Sequence, residues 1–532
     1  MASSQARAIC SAAILKYITA IIFILLFLGT SVETAKILAI FSVPARSHVG
    51  AYQPLMEELA RRGHEMTVVT PFPRTKPLEN YNEIIIEDTF PSRDSSEMNL
   101  FEYGKNNFLF TMLMMSKIFV SSCEKLVNQP NIQKLIHSTD RSFDLIIYEP
   151  FGSQCIYGLL HKFKSPSIQF LPNTITPMLH DSMGNPSTSS YIPDALMEED
   201  TVNFTTRFFT LLRYGFIHIF QLYIQSQMTS IMKKHFPDPS LPSITELETN
   251  ASFLFLHSHP ILNYPKPLTP NTIEVGGLHI KAAGNLPQDL KKYLDDAPEG
   301  VIYFSLGSNA RSIDMPEAMR NAILKSFSKL KQKVLWKWEA DTLPGQPKNV
   351  RLGKWLPQHD ILAHPNVKLF ITHGGLMSIQ EATYFGVPMI AIPVMGDQKF
   401  NALHAQNNGY ALVLEIRNIT DKSLDWAINE ILLSSSYRET AQKLSRIFQD
   451  DPQKPLDRAV FWTEYAIRHK GAPHLHSAAL NLNFFQYFFL DVIAVISLLL
   501  LASITLLVFL SKMLLKKLFS KSKVVSKKKK TK

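Results

Sequence analysis

The sequence predicts an α/β protein with two domains, each built on a parallel sheet, and one membrane-spanning helix near its end. Short apolar segments alternate with amphipathic helical segments between residues 36 and 470, the pattern of a parallel sheet covered by helices. The chain has 532 residues, more than one growing hydrophobic core usually serves, so two domains are expected. A run of 19 residues without a charge, Val492 to Leu510, is long enough to span a bilayer as a helix.

Composition agrees with a folded, partly membrane-embedded chain. Hydrophobic residues make up 46% and charged residues 19% of it, which excludes intrinsic disorder. The net charge of +10 comes from residues 511–532, which hold ten Lys and no acid. The remaining 45 basic and 45 acidic residues balance, so we expect a neutral body with a basic tail and no nucleic-acid partner.

The two ends predict a type I membrane protein of the endoplasmic reticulum. Arg7 and Lys16 precede the apolar run 18–28, which indicates a cleavable signal peptide over residues 1–35. An aromatic belt in the juxtamembrane segment 471–491 precedes the span 492–510, and the basic tail 511–532 is expected to stay cytosolic. The final Lys-Lys-Thr-Lys matches a dilysine retrieval signal. Such a match can arise by chance in a tail this basic, and we favour the retrieval signal.

Lumenal exposure of residues 36–483 agrees with three glycosylation sequons, at Asn203, Asn250 and Asn418. With Cys10 in the signal peptide, Cys123 and Cys155 remain, and whether they pair is open. No metal-ligand spacing is present, so neither a metal nor a cofactor is expected.

The N-terminal domain, residues 36–270, begins with a βαβ unit. A strand at 36–41 is followed by a loop that contains His48, a helix over about 52–62 and a strand at 65–70. His48 should therefore lie at the carboxyl edge of the first strand. Another strand, 143–148, ends at Glu149. The apolar stretch from Leu100 to Met228 suits a pocket for a lipophilic ligand, although core packing explains most of its residues equally well.

The C-terminal domain, residues 271–470, follows a Pro-rich linker and contains the most informative pattern. A strand at 367–372 runs into His373-Gly374-Gly375 and a helix over 376–385, a turn whose free N–H groups favour an anion. Ser378 and Glu381 share one face of that helix. A further strand, 389–393, ends before Asp397-Gln398, at the sheet edge where open α/β sheets bind ligands.

These residues together resemble the signature of the UDP-glycosyltransferase family. The amino-acid sequence of this segment is similar to that of insect members. The resemblance implies a GT-B fold, two such domains facing a cleft, over about residues 36–469. It also implies a UDP-sugar co-substrate, held as follows: Trp355 stacks on uracil, Gln358 holds base and ribose, Glu381 takes the ribose diol, His373 and Ser378 meet the diphosphate, and Asp397 and Gln398 hold the sugar. The glycine turn at Gly375 lets the backbone approach the diphosphate, and Ser308, in a turn at a helix-entry position after the strand 301–306, can add a hydroxyl and N–H groups to it. Met377 departs from plant members, which usually carry an Asn there.

In that family the catalytic base lies in the loop after the first strand, which implies this role for His48. A carboxylate that fixes the tautomer of the imidazole would make His48 a better general base. Glu149 is the carboxylate expected in this role. The reaction is then a metal-independent, inverting hexosyl transfer, with glucose the expected sugar, to a small lipophilic acceptor in detoxification or secondary-metabolite conjugation.

Several alternatives stay open. UDP-glucuronate could replace UDP-glucose, and a noncatalytic UDP-sugar-binding membrane protein could share the signature. A transporter is disfavoured, because a single clear span is present. The acceptor is not identified by any motif, and a homo-oligomer is possible.

Overall fold

The computed structural model describes residues 34–90, 101, 108–173, 177–186, 190–192 and 203–529. All but the last two residues of the predicted signal peptide, and the last three residues of the dilysine motif, lie outside the described residues. The chain divides into two compact units, residues 1–475 and 476–532. The first unit holds both predicted sheets, and the second holds the predicted span.

The first sheet has seven strands in the order β3-β2-β1-β4-β5-β6-β7, and every pairing is parallel. Its strands are β1 (Lys36–Ile40), β2 (Glu65–Thr70), β3 (Tyr81–Ile85), β4 (Leu145–Tyr148), β5 (Ser167–Leu171), β6 (Phe253–Leu256) and β7 (Thr272–Glu274). From β1 the chain first adds strands on one side of the sheet (β2, β3) and then on the other side (β4 to β7). The carboxyl ends of β1 and β4, where this change of side occurs, therefore border a crevice.

The second sheet has six parallel strands in the order β10-β9-β8-β11-β12-β13. They are β8 (Val301–Ser305), β9 (Lys333–Lys337), β10 (Val350–Gly353), β11 (Val367–Thr372), β12 (Met389–Ala391) and β13 (Ala411–Val413). The change of side falls between β8 and β11, so this sheet also offers a crevice at its carboxyl edge.

Helices cover both sheets. In the N-terminal half they are α1 (Arg46–Arg61), α2 (Phe108–Val127), α3 (Pro130–His137), α4 (Gly158–Phe163), α5 (Pro177–Ser182), α6 (Phe204–His235) and α7 (Ile244–Thr249). The remainder are α8 (Gln288–Asp295), α9 (Glu317–Phe327), α10 (Gln358–Leu362), α11 (Leu376–Tyr384), α12 (Gln398–Asn407), α13 (Asp421–Leu433), α14 (Ser435–Gln449), α15 (Pro455–Arg468), α16 (Phe484–Tyr487) and α17 (Leu490–Lys529).

The central strands β1, β4, β5, β6, β8 and β11 are buried on both faces, as parallel strands in α/β folds are. In β1, Ile37 and Ala39 pack into one core with α1, while Leu38 and Ile40 pack into a second core with α2 and α6. Side chains of a strand point alternately to its two faces, so one short apolar run serves two cores. The sequences of these strands are therefore almost continuously apolar and do not alternate between apolar and polar residues, as those of a half-exposed sheet do.

Helix α1 begins six residues earlier than the sequence predicts. Its N-cap, Ala45, offers no side-chain hydrogen bond, so the usual polar start signal is missing. The end was predicted correctly because Gly63 adopts φ 95°, its N–H donates to Ala60, and the next N–H donates to Leu59. His48 consequently lies in the first turn of α1, and its placement in a loop was wrong.

Helix α15 follows the second sheet in sequence but packs on the first. Ala459 and Val460 belong to the core between the first sheet and α1, and the Trp462 ring lies 5.2 Å from that of Phe253. Arg62 on α1 donates to Glu464 across the same contact. The chain thus returns to the N-terminal sheet before the first unit ends.

Helix α6 carries apolar residues on both its buried and its exposed sides. Ile217, Gln225 and Met228 are buried, whereas a set of large apolar residues on the same helix is exposed. That set is Phe204, Phe208, Phe209, Leu211, Leu212, Phe216, Ile219, Leu222 and Tyr223. The sequence predicts that 214–232 lies against a membrane surface rather than across it, and this stays a prediction.

The second unit is dominated by α17. Among the described residues, one helical segment, Leu490–Phe519, is long and apolar enough to cross a membrane, with a mean hydropathy of 2.9 over an 18-residue window. It contains the predicted span, Val492 to Leu510, and extends it at both ends. The described part of the chain therefore carries one candidate membrane span, preceded by the exposed aromatic residues Phe484 and Phe485.

Candidate active site

A single cleft of about 1340 Å³ runs between the carboxyl edges of the two sheets. It exceeds the ~300–1,000 Å³ typical of a pocket for one small ligand, so it has room for two. Ten predicted site residues line it: His48, Ser308, Trp355, Gln358, His373, Gly375, Ser378, Glu381, Asp397 and Gln398. Glu149, the eleventh, lies behind His48.

His48 and Glu149 form a close pair on the N-terminal side. Nδ1 of His48 lies 2.5 Å from Oε1 of Glu149. His48 is 8% exposed and Glu149 is 1% exposed, so the pair is shielded while the imidazole still reaches the cleft. With Nδ1–H donated to the carboxylate, Nε2 is the ring atom left to accept a proton. The arrangement can act as a general base held in one tautomer.

The β11–α11 turn brings His373 against two glycines. Gly374 has φ 81° and Gly307, after β8, has φ 82°, a backbone conformation that favours glycine. A Cβ on Gly307 would lie 2.6 Å from Cε1 of His373, and a Cβ on Gly375 would lie 2.5 Å from its Nε2. The ring is therefore clamped between the two turns, beside the N–H groups of the first turn of α11.

The imidazole of His373 is neutral at pH 7. Burial and, to a smaller extent, the nearby charge of Lys337 together lower its pKa to about 4. Lys337 ends β9, is 8% exposed, lines the cleft and pairs with Glu339 at 2.7 Å. The positive charge near this turn thus comes from Lys337 and the helix N-terminus, while His373 offers a neutral N–H donor.

Gln358 organises the neighbouring polar residues. Its Nε2 donates to Oγ of Ser378 at 3.2 Å and to Oε2 of Glu381 at 2.7 Å. Its Oε1 accepts from the Tyr303 hydroxyl at 3.4 Å. Trp355, three residues before Gln358, is 67% exposed, so its ring face is open to a ligand. Base-stacking, diol-accepting and hydroxyl groups thus lie within one connected patch.

Asp397 and Gln398 stand at the start of α12. The Oε1 atom of Gln398 accepts the backbone N–H groups of Val394 and Met395 at 2.9 and 3.0 Å. Its oxygen is therefore committed to the turn, and its amide nitrogen is the group left for a ligand. Asp397 supplies acceptor oxygens beside it, a combination suited to sugar hydroxyls.

Two expectations for this edge need correction or explanation. Ser308 lies in a turn and not at the start of a helix, since α9 begins at Glu317, after a short 3-10 turn. Met377, where plant members usually have Asn, packs against α1: a Cβ on Gly50 would lie 3.0 Å from its Cε. The thioether thus joins the two halves of the cleft through an apolar contact.

The N-terminal wall of the cleft is largely apolar. The Phe151 ring lies 6.2 Å from that of His48, and Phe119 packs edge-on against Phe151 at 4.9 Å. Further lining residues include Met112, Met115, Leu179, Ile217, Phe220, Ile224 and Met228. Most fall within the stretch 100–228 in which the sequence places a lipophilic ligand.

Several site residues escape the sequence motifs. Lys337 is one, and Gln380 is another: its side chain bonds the backbone of His257 and of Gly277, on either side of the linker. Arg417, which lines the cleft, is a third. The sequence gives a weak signal for Lys337, which is a lysine at the end of an apolar strand. The positions of Gln380 and Arg417 depend on the packing of segments that are far apart in sequence.

Comparison with known proteins assigns the family. The sequence profile described as UDP-glucoronosyl and UDP-glucosyl transferase matches residues 35–531. The chain belongs to this family.

Among its relatives, the UDP-glycosyltransferase UGT5 of Dactylopius coccus is 38% identical over 488 residues, covering 89% of this chain and 91% of the relative. Human UDP-glucuronosyltransferase 1A10 is 32% identical over 461 residues, covering 84% and 86%. The family membership makes the chain a UDP-glycosyltransferase, and of these two relatives the human one is named for glucuronosyl transfer.

Solved structures confirm the GT-B fold. The glycotransferase of kitacinnamycin superposes with a TM-score of 0.55 at 18% identity, covering 82% of this UDP-glycosyltransferase and 99% of the other chain. UDP-glucose: anthocyanidin 3-O-glucosyltransferase in complex with UDP gives a TM-score of 0.53 at 17% identity, covering 82% and 100%. At such identities the likeness concerns the fold alone.

Proposed function

We propose that the enzyme transfers glucose from UDP-glucose to a hydroxyl group of a small lipophilic acceptor, with inversion at the anomeric carbon. The observation that carries this proposal is the single cleft that has the His48–Glu149 pair on one side and the Gln358–Ser378–Glu381 patch on the other. A bound sugar nucleotide can place its anomeric carbon between them.

The chemical step is a single displacement. The acceptor oxygen forms a bond to the anomeric carbon as Nε2 of His48 takes its proton, and Glu149 stabilises the imidazolium that results. The bond from the anomeric carbon to the diphosphate oxygen breaks, and UDP leaves with the electron pair. Lys337, the N–H of His373 and the N-terminus of α11 are placed to stabilise the charge that develops on the leaving group.

Glucose is favoured as the sugar because Asp397 and Gln398 offer an acceptor and a donor to hydroxyl groups. UDP-glucuronate is the second candidate, and Arg417 is the observation that favours it, since a guanidinium in the cleft wall can pair with a carboxylate. Competition between the two donors decides between them. Glucuronate transfer that exceeds glucose transfer, and falls in Arg417→Leu, would overturn the glucose assignment.

The base assignment is tested with full-length enzyme in microsomes. His48→Ala should lose transfer of labelled glucose to phenols and keep its affinity for UDP, because His48 touches the acceptor and not the nucleotide. The matched control is His161→Ala, which breaks another imidazole–carboxylate contact, with Asp238 at 2.9 Å, outside the cleft lining. Full transfer by His48→Ala would refute the assignment, and loss of UDP binding in both variants would indicate misfolding instead.

We also propose that the first unit lies in the lumen of the endoplasmic reticulum, anchored by α17. The three sequon residues, Asn203, Asn250 and Asn418, are all exposed, which an oligosaccharide requires. Endoglycosidase digestion of the expressed protein should increase its gel mobility, and Asn→Gln at all three sites should abolish that shift. An unglycosylated chain whose first unit is digested by protease added outside sealed microsomes would place it in the cytosol.

A further inference from the structure

A buried carboxyl group lies in the wall of the N-terminal half of the cleft. Glu248, on α7, is 3% exposed, and the cleft reaches it. Burial raises the pKa of Glu248 to about 8. At neutral pH the group is therefore mainly a carboxylic acid, which donates a hydrogen bond as well as accepting one.

Neighbouring amides fix the orientation of this acid. Nε2 of Gln225, on α6, donates to Oε2 of Glu248 at 3.1 Å, and the hydroxyl of Thr245 donates to Oε1 of Gln225 at 3.0 Å. The backbone carbonyl of Glu248 accepts from the Gln169 side chain at 2.8 Å, which ties α7 to β5. Glu248 is thus held at both its backbone and its side chain.

The hydrogen bonds place the acidic proton. Because Oε2 accepts from Gln225, it acts as the carbonyl oxygen, and Oε1 carries the proton. Within the described part of the chain, the side-chain hydrogen bonds of Glu248 are confined to Oε2. Glu248 lines the cleft, so an oxygen atom of a bound ligand can accept a hydrogen bond from the proton on Oε1.

Glu248 and His48 both line the cleft, and packed helices connect them. The imidazole of His48 lies beside Phe151, whose ring packs on Phe119 of α2. Helix α2 packs on α6, which carries the Gln225 amide that donates to Glu248. Apolar residues of α2 and α6, among them Phe119 and Met228, line the cleft in this region. An acceptor whose reacting hydroxyl meets His48 can therefore extend along an apolar wall to Glu248.

We propose that Glu248, oriented by Gln225, binds a second oxygen atom of the acceptor, remote from the hydroxyl that receives the sugar. This inference rests on the proposed function, since it assigns the far end of the acceptor whose near end meets His48. The substrate class it names is rigid aromatic or polycyclic compounds with an uncharged ether, carbonyl or hydroxyl oxygen opposite the reacting hydroxyl. Simple apolar phenols would bind less tightly.

A pair of isosteric probes tests the proposal. 4-Hydroxy-4′-methoxybiphenyl and 4-hydroxy-4′-ethylbiphenyl each have one reacting hydroxyl and differ by one ether oxygen in place of a methylene. The full-length enzyme in microsomes, with saturating UDP-glucose, should show a KM about threefold to tenfold lower for the methoxy probe, the worth of one hydrogen bond. The two kcat values should be similar, because the oxygen is remote from the reacting atoms.

Variants assign the effect to Glu248. Glu248→Leu should raise the KM of the methoxy probe to that of the ethyl probe, whereas Glu248→Gln, which keeps a donor and an acceptor, should preserve the difference. Gln225→Leu should reduce the difference without touching the acid itself. The affinity of each variant for UDP, measured separately, shows whether it has folded.

The outcomes separate the two proposals. Equal KM values for both probes in the parent enzyme, or a difference that survives in Glu248→Leu, overturn the inference and leave glucosyl transfer intact. If Glu248→Leu fails to fold, an unchanged difference in Gln225→Leu overturns it in the same way. Absence of transfer to these and all other phenols by a chain that binds UDP contradicts the proposed function itself.

Discussion

Nε2 of His279 lies 3.6 Å from Oε1 of Glu381, and Nδ1 of His279 lies 3.1 Å from Nε2 of His257. Burial and, to a smaller extent, the electrostatic effect of His48 together lower the pKa of His257 to about 3, and burial holds the pKa of His279 well below its usual value. Both imidazoles are thus neutral at pH 7. They join the linker between the two sheets to Glu381, yet bring it no positive charge.

Glu381 should therefore make donor binding depend on pH. Burial raises its pKa to about 7, the Gln358 amide opposes this, and Asp360 adds to it. Accepting both ribose hydroxyls requires the ionised carboxylate, so the free enzyme must lose a proton to bind UDP below pH 7. We expect the dissociation constant of UDP to rise by up to about tenfold per pH unit as pH falls from 7 to 5.

Calorimetry of UDP binding between pH 5 and 8 measures this dependence. Glu381→Gln is the control, because its amide does not titrate and any remaining slope belongs to the diphosphate. A 2′,3′-dideoxy analogue of UDP, which lacks the diol, should bind parent and variant alike. Equal slopes for UDP in parent and variant would show that Glu381 does not receive the ribose.

The donor half of the site could be predicted because its signal is local. The strand, the glycine turn and α11 lie within residues 367–384, so spacing alone brings His373, Ser378 and Glu381 together. The buried strands could also be predicted, since apolar runs such as residues 37–40 are buried on both faces of the sheet. Such features depend on neighbours in sequence.

The features that were missed depend on distant segments. Lys337, His279 and Glu248 come from three separate elements and reach the cleft through the packing of the sheets. The pairing of Cys123 with Cys155 was left open for the same reason, because it needs α2 to cross the turn after β4. The start of α1 was misplaced because Ala45 gives no capping signal.

Glu149→Gln should reduce kcat strongly while leaving UDP affinity unchanged. The amide can present its nitrogen to Nδ1 of His48, which favours the wrong tautomer and removes the charge that stabilises the imidazolium. We expect a loss of roughly 10²- to 10⁴-fold in kcat. Glu149→Asp should recover part of it. Steady-state kinetics with a phenol decide, and a Gln variant within twofold of the parent would exclude a catalytic role for Glu149.

Gly307→Ala should weaken UDP binding by displacing His373. The added Cβ would lie 2.6 Å from Cε1 of the ring, at a position with φ 82°. Gly345→Ala is the matched control, because φ there is 76° and the nearest atom, in Leu324, lies 3.7 Å away. Both variants carry the same backbone strain, so the stability that Gly345→Ala loses in urea measures the effect of that strain without the clash. Only Gly307→Ala should lose UDP affinity, and equal affinities would show that the ring position is immaterial.

Loss of the disulfide should destabilise the N-terminal half of the first unit. Cys123 on α2 and Cys155 in the turn after β4 are both fully buried and 32 residues apart. A cross-link that closes a loop of this length restricts the unfolded chain and stabilises the fold by about 3–4 kcal/mol at 25 °C. The double variant Cys123→Ala with Cys155→Ala should therefore unfold at lower urea concentration.

The reductant provides the control for this comparison. Treating the parent enzyme with a phosphine should shift its urea midpoint toward that of the double variant, and the same treatment should leave the variant unchanged. Acceptor KM should rise along with the loss of stability, because Phe119, one turn from Cys123 on α2, lines the cleft beside His48. A parent midpoint that does not respond to reduction, together with full stability of the variant, would mean that packing of α2 suffices without the bond.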